Sequence, residues 1–201
     1  LCVCLSFGQL LRFKGYKDEP SQLKLTARYV GDLELEVEFW LLDINQEVVN
    51  AVPEVRMWGL DEKGRRLLVI DRSFNPYFYV LPKDSVEAEN LVEKLEKNLE
   101  LRGVLAFVVE ERKYFGKPVK AVKVVLKNHE DIADNVKVIL KEPLVKDVLH
   151  DDIRYSTLYL VEKDIKPCGW HRAEVEKLQQ IPNVNVDEFY LATSKPKVLK
   201  K

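Results

Sequence analysis

Seven basic residues crowd the stretch from Arg102 to Lys127 (Arg102, Arg112, Lys113, Lys117, Lys120, Lys123 and Lys127), set against Glu110 and Glu111. Tyr114, Phe115 and Pro118 lie around a Gly116-Lys117-Pro118 turn signal between two strand-like runs. Cations along a hairpin can follow a phosphate backbone, and aromatic faces at its turn can stack bases. Arg112, Lys113, Lys117 and Lys120 are the candidates for backbone contact. A solvated hairpin face has the same pattern. The second candidate is Asp71-Arg72-Ser73-Phe74-Asn75-Pro76-Tyr77-Phe78-Tyr79-Val80. Asn75-Pro76 breaks the chain, because a residue before proline leaves the helical region and proline donates nothing to a ladder. Tyr77 to Val80 favour a pleated, half-buried surface. Pro76 and Tyr77 therefore stand where a loop meets a sheet, a place to offer ring faces to a flat ligand. A core strand with aromatic filling fits these residues as well.

Other chemistry finds less support. Cys168-Gly169-Trp170-His171 has a C-x-x-H spacing, but zinc takes three or four protein ligands, and His129 and His150 fall on separate elements. The chain has no G-x-G-x-x-G, no G-x-x-x-x-G-K-[ST] and no G-x-S-x-G. Its adjacent acids (Glu34, Glu36, Glu38, Asp151, Asp152) read as solvation and capping. No residue set forms a convincing catalytic centre, and no cofactor is expected.

The elements that must position these candidates follow from periodicity. Residues 1–32 read as an appendage or linker, Leu33 to 192 as the folded domain, and the lysine-rich 193–201 as a further linker. Leu33, Leu35, Val37, Phe39 and Leu41 alternate with glutamates, which predicts a strand with one wet face. Trp40 and Leu42 predict that its second half is buried. Strands follow at Glu54–Leu60 and Arg66–Asp71, joined by a turn at Asp61–Gly64, and complete a meander. The order from residue 76 to about 150 is strand, helix, strand, strand, helix, strand. Asp84 or Ser85 would cap the first helix, with Ala88, Leu91, Val92, Leu95 and Leu99 inward. Asn128 would cap the second, with Ile132, Val136, Ile139 and Leu140 inward. This is the α+β ferredoxin-like βαββαβ unit, extended by the meander. Asp152 would cap a short third helix, and two further strands would run from Trp170 to Leu178 and from Val184 to Leu191.

A chain of 201 residues holds one sizeable core, or a domain with an appendage. A net charge of −1 gives no global footprint for nucleic acid and leaves only a local basic face. Three cysteines make no disulfide framework, which favours a reducing, cytoplasmic setting. No run is long and apolar enough to span a bilayer, so no membrane partner is expected. The first residue is leucine, which suggests a fragment. The lysine- and glutamate-rich surface would suit a thermophile.

Several segments together carry a family resemblance. Leu41-Leu42-Asp43-Ile44, Asp71 to Tyr79, Phe115-Gly116-Lys117-Pro118-Val119, His150-Asp151-Asp152-Ile153-Arg154-Tyr155 and Tyr159-Leu160-Val161-Glu162-Lys163 come in order. They resemble the N-terminal domain of archaeal family B DNA polymerases from about Leu33 to Pro167, and the Trp170-His171 region resembles the crenarchaeal branch. The resemblance implies a role at the incoming single-stranded DNA template. The exonuclease and polymerase domains of a parent chain would be its other partners. The chain holds neither the carboxylates of the 3′–5′ exonuclease nor the polymerase aspartates, so it should not polymerise by itself. Magnesium would belong to the parent. The resemblance further implies a pocket that captures template uracil, walled by Pro76, Tyr77, Pro118, Ala121, Ile153 and Tyr155. Uracil offers an acceptor at O4 where cytosine offers a donor, and thymine adds a methyl group. The chain departs from the family pattern at Gln46, Ala121 and Leu158. Ala121 implies a looser pocket, and the other two remove a ring and a charge. A free-standing single-stranded nucleic-acid module of the same fold, or a small-molecule regulatory domain, are the other readings.

Overall fold

The computed structural model describes residues 35–200. In chain order its elements are β1 (Leu35–Val49), β2 (Val52–Leu60), β3 (Arg66–Asp71), β4 (Tyr77–Pro82), α1 (Ala88–Glu96), β5 (Val104–Tyr114), β6 (Lys117–Leu126), a 3-10 turn (His129–Asp131), α2 (Ile132–Ile139), β7 (Val145–Leu149), α3 (Tyr155–Glu162), β8 (Trp170–Lys177), β9 (Glu188–Ala192) and β10 (Lys197–Val198). They form two compact units. One is Tyr77–Asp152; the other joins the residues up to Pro76 with those from Ile153 onward. The expected appendage, residues 1–32, lies outside the described residues, as does Leu33.

In the second of these units β1, β2 and β3 form the expected antiparallel meander. The two-residue turn Asn50-Ala51, with φ of 53° and 61°, joins β1 to β2. The meander does not stay open. β9 pairs parallel with β3 and antiparallel with β8, and β8 pairs antiparallel with β1. Five strands thus close into a ring, the device by which small OB-type barrels remove their edges. Phe39, Leu41, Val55, Met57, Leu67 and Val69 are buried, as are Leu68, Ile70 and Phe189, which form a separate cluster. β3 is therefore buried on both faces, which its uninterrupted Leu67-Leu68-Val69-Ile70 run requires. Leu42 differs from expectation and is exposed, because the β1–β2 register shifts between Leu41 and Asp43 and turns its side chain out. The lysine-rich tail contributes a short strand. Lys197 and Val198 pair with Arg172 and His171 on β8.

Tyr77–Asp152 contain the ferredoxin-like unit, with strand order β5-β6-β4-β7. Phe78, Val80, Val122, Val124 and Leu126 point from the sheet to Leu91 and Leu95 of α1 and Val136 and Ile139 of α2. Full burial of a side chain such as Phe78 is worth about 2–3 kcal/mol. The helix starts fall later than the capping residues suggest. α1 begins after Glu87, with Asp84 and Ser85 in the preceding turn. Asn128 precedes the 3-10 turn without a side-chain cap. α3 begins after Arg154, not at Asp152. Leu99 lies beyond the end of α1 and Leu140 beyond α2; both are exposed, not inward.

Candidate nucleic-acid interface

The β5–β6 hairpin carries most of the basic candidates. Its last pair is Tyr114 with Lys117, so the turn is Phe115-Gly116, at φ of 48° and 80°. Two positive φ values suit the twist of a two-residue hairpin. Lys117 and Pro118 are therefore in strand β6, not in the turn. Proline is accommodated there because β4 pairs only with Val122–Val125, so the outer end of β6 bonds to β5 alone. Register divides the four proposed backbone contacts between the hairpin's faces. Arg112 opposite Val119 and Lys117 opposite Tyr114 share one face; Lys113 opposite Pro118 and Lys120 opposite Glu111 share the other.

Two of these cations are already engaged. Arg112 Nε and Nη2 donate to the Tyr79 hydroxyl at 3.0 and 2.6 Å, and Nη2 also contacts Glu110. Tyr79 in turn donates to Glu110 Oε2 at 2.9 Å. Burial, reinforced by the Glu110 carboxylate, pushes the Tyr79 phenol up to about 12, so it remains a neutral donor. Lys123 Nζ lies 3.8 Å from the centre of the Tyr77 ring and 3.9 Å from Glu110 Oε1. Lys120 pairs with Glu89 of α1 at 3.0 Å. Among the described residues neither Lys113 nor Lys117 has a carboxylate within salt-bridge distance, and both are exposed. Of the four proposed backbone contacts, these two are the ones without an internal carboxylate partner among the described residues.

Beside the hairpin, Leu81–Asp84, Val86–Glu89, Tyr114, Pro118–Lys120 and Lys146 line an open cleft of about 510 Å³. Lys146 pairs with Asp84 at 2.7 Å there. Of the six residues assigned to a base pocket, only Pro118 lines this cleft. Tyr77 and Ala121 are buried in the same unit, with Ala121 opposite Glu110.

Pro76, Ile153 and Tyr155 belong to the barrel unit. The loop from Arg72 to Pro76 is held there by one buried carboxylate. Asp71 Oδ1 accepts from the Ser73 amide and hydroxyl, both at 2.7 Å, and Oδ2 accepts from the Tyr159 hydroxyl at 2.7 Å. Tyr155 donates its hydroxyl to the Phe74 carbonyl, and its ring stacks on Phe74 with centroids 5.3 Å apart. Burial first, and Asp71 second, raise the phenols of Tyr155 and Tyr159 well above their ordinary value. Ile153 is half-buried in the bend before α3. Leu158 is buried within α3. Gln46, the departure on β1, serves the fold. Its Oε1 accepts from the Ser156 amide at 2.8 Å, near the start of α3. α3 has no cap from its own N-cap side chain, so this bond satisfies an otherwise orphaned donor. Gln46→Ala should therefore lower stability by about 1 kcal/mol in denaturant unfolding.

The C-x-x-H segment forms no metal centre with its neighbours: no group of three His, Cys, Asp or Glu residues is placed for an ion among the described residues. His171 is fully buried, its Nδ1 lies 2.9 Å from the Gly169 carbonyl, and its Nε2 has no hydrogen-bond partner among the described residues. Burial lowers its pKa below 6.5, opposed by the Gly169 bond. The folded chain thus holds the neutral ring, while the unfolded chain protonates near the ordinary value. Stability should be full above pH 6.5 and fall as pH drops through 6.5 toward the depressed folded value. Melting temperatures between about pH 7.5 and 5.0 should show this decline, and His171→Phe should flatten it.

Sequence reasoning missed Asp71, Glu110, Tyr79 and Gln46 as organising residues. An acid two residues before Ser73, as in an Asx-turn, was the one local signal available. The others depend on cross-strand or long-range partners.

No family profile matches the chain. It is 30% identical over 142 residues to DNA polymerase 3 of Saccharolobus shibatae, covering 71% of this chain and 18% of that protein. It is 28% identical over 155 residues to DNA polymerase 2 of Aeropyrum pernix, covering 77% of this chain and 19% of that protein. The solved structure of the family B DNA polymerase from Pyrobaculum calidifontis superposes with a TM-score of 0.69 at 34% identity, over 82% of this chain and 21% of that one. The chain spans about a fifth of the length of these relatives. By sequence and by fold it is a homologue of archaeal family B DNA polymerases over part of their length, consistent with their amino-terminal domain.

Proposed function

We propose that this chain binds the single-stranded DNA template as part of a DNA-directed DNA polymerase, delivering it to polymerase and exonuclease domains with their magnesium ions elsewhere in the parent. The observation that carries this reading is the relationship to DNA polymerases across 71% of the chain. The β5–β6 hairpin supports it with Lys113 and Lys117, two exposed cations beside an aromatic turn. Nothing in this function requires a metal or cofactor bound to the chain itself.

The finer reading is that the chain checks the template for uracil. It rests on the family resemblance. Extruding a base from a strand already single is inexpensive, which makes such a check feasible ahead of synthesis. Fluorescence anisotropy tests it with a labelled single strand holding one uracil, against the same strand with thymine. Tighter binding to uracil, lost in Tyr77→Ala, is expected. Equal affinity for the two strands would leave template binding and end uracil capture.

A further inference from the structure

Phe115 stands at the tip of the β5–β6 hairpin with 89% of its surface exposed. Among the described residues every other Phe, Tyr and Trp side chain is buried or half-buried. Its backbone sits at φ +48°, a region that disfavours a bulky side chain and that Asn, Asp or Gly would occupy more easily. The fold buries little of this side chain. The ring stands edge to face with Tyr114, centroids 4.6 Å apart, and leaves its other face to solvent. Tyr114 itself is tied down, with its hydroxyl donating to Asp147 at 3.1 Å. Tyr77 and Tyr79 are buried and carry Lys123 and Arg112 against their rings. Exposed Lys113 and Lys117 lie on either side of the turn, one on each hairpin face. An unburied ring on a strained turn, flanked by two cations with no carboxylate partner among the described residues, has the composition of a stacking platform for a strand of polyanion.

We propose that Phe115 stacks on an unpaired base of single-stranded nucleic acid, while Lys113 and Lys117 contact the phosphates on either side. This rests on the template-binding reading and adds the residue that holds a base without reading its identity. Ring stacking is independent of sequence because every base has a π-face, so the contact suits a strand of any composition.

Phe115→Asn separates binding from folding, because Asn fits the turn better than Phe. Its melting temperature should equal or exceed that of the unaltered chain. Its dissociation constant for a labelled single strand of about 12 nucleotides should rise about 5- to 100-fold, the range of one lost base stack. Phe115→Trp should bind at least as tightly as Phe. A probe of the same length made of abasic sites should bind the unaltered chain and Phe115→Asn equally, because it offers phosphates and no base. If Phe115→Asn binds the normal strand as the unaltered chain does, the stacking role is overturned and the ring is a protein contact. If the unaltered chain binds no single strand at all, the template reading fails, and this inference with it.

Discussion

Asp71→Ala should destabilise the barrel unit by about 3 kcal/mol in denaturant unfolding. The carboxylate is buried and accepts three hydrogen bonds, from the Ser73 amide, the Ser73 hydroxyl and the Tyr159 hydroxyl. Its loss leaves the fully buried Tyr159 hydroxyl without its acceptor, and an unsatisfied buried donor costs about 1–3 kcal/mol. The Ser73 amide loses its partner as well, so the loop to Pro76 loosens where its path is set. Tyr159→Phe should cost less, about 1–2 kcal/mol, because Asp71 keeps both bonds to Ser73. The two changes share one bond, so the double variant should fall short of their sum by about 1 kcal/mol. A fully additive double variant would mean that the Asp71–Tyr159 bond contributes nothing to the loop.

Glu54→Ala is the second large effect, at about 3 kcal/mol. Glu54 is 1% exposed and lies between two guanidinium groups, Arg56 at 3.1 Å and Arg72 at 2.6 Å. Removing the carboxylate strands the Arg56 charge, whose side chain is only 13% exposed. Arg72 is 42% exposed and can turn to water, which keeps the penalty at the low end for a broken buried pair. Arg72→Ala should therefore cost about 1 kcal/mol or less. If Glu54→Ala and Arg72→Ala were equally mild, the triad would be a surface pair in energetic terms, and Arg56 would have found another partner.

The parts of the fold that periodicity governs are legible in the sequence. The Leu67–Ile70 run, the Tyr77–Leu81 strand and the Leu91/Leu95 and Val136/Ile139 stripes give the ferredoxin-like unit and the meander directly, because each is a local pattern with a local cause. Closure of the barrel is not legible. It depends on β9 joining β3 in parallel and on β8 returning to β1 across most of the chain, and no local residue announces either pairing. Asp84 and Asp152 have capping side chains but lie in the turn or bend before α1 and α3, while Asn128 stands at the N-cap of the 3-10 turn that leads into α2 and makes no side-chain cap bond. Leu42 escapes the period-two pattern because a one-residue bulge reverses the face that a side chain takes.

The candidate site divides in the same way. The basic hairpin is readable as composition, yet only register shows that its cations lie on opposite faces and that Arg112 and Lys120 have internal partners. Gln46 reads in sequence as the loss of a ring; the structure gives it the Ser156 amide instead. Phe115 reads as one of two aromatic rings beside Pro118 near the turn. Its exposure and its positive φ set it apart from Tyr114.

Template binding is tested most directly by the salt dependence of single-strand binding. Anisotropy of the purified chain with a labelled single strand between about 50 and 300 mM salt, the range in which phosphate contacts dominate, gives the slope of log affinity against log salt. Measurable binding with a negative slope is expected, and a shallower slope, by roughly one to two, when Lys113 and Lys117 are both changed to Ala. Binding that does not respond to salt, or a double variant with an unaltered slope and affinity, would contradict the hairpin as the template surface.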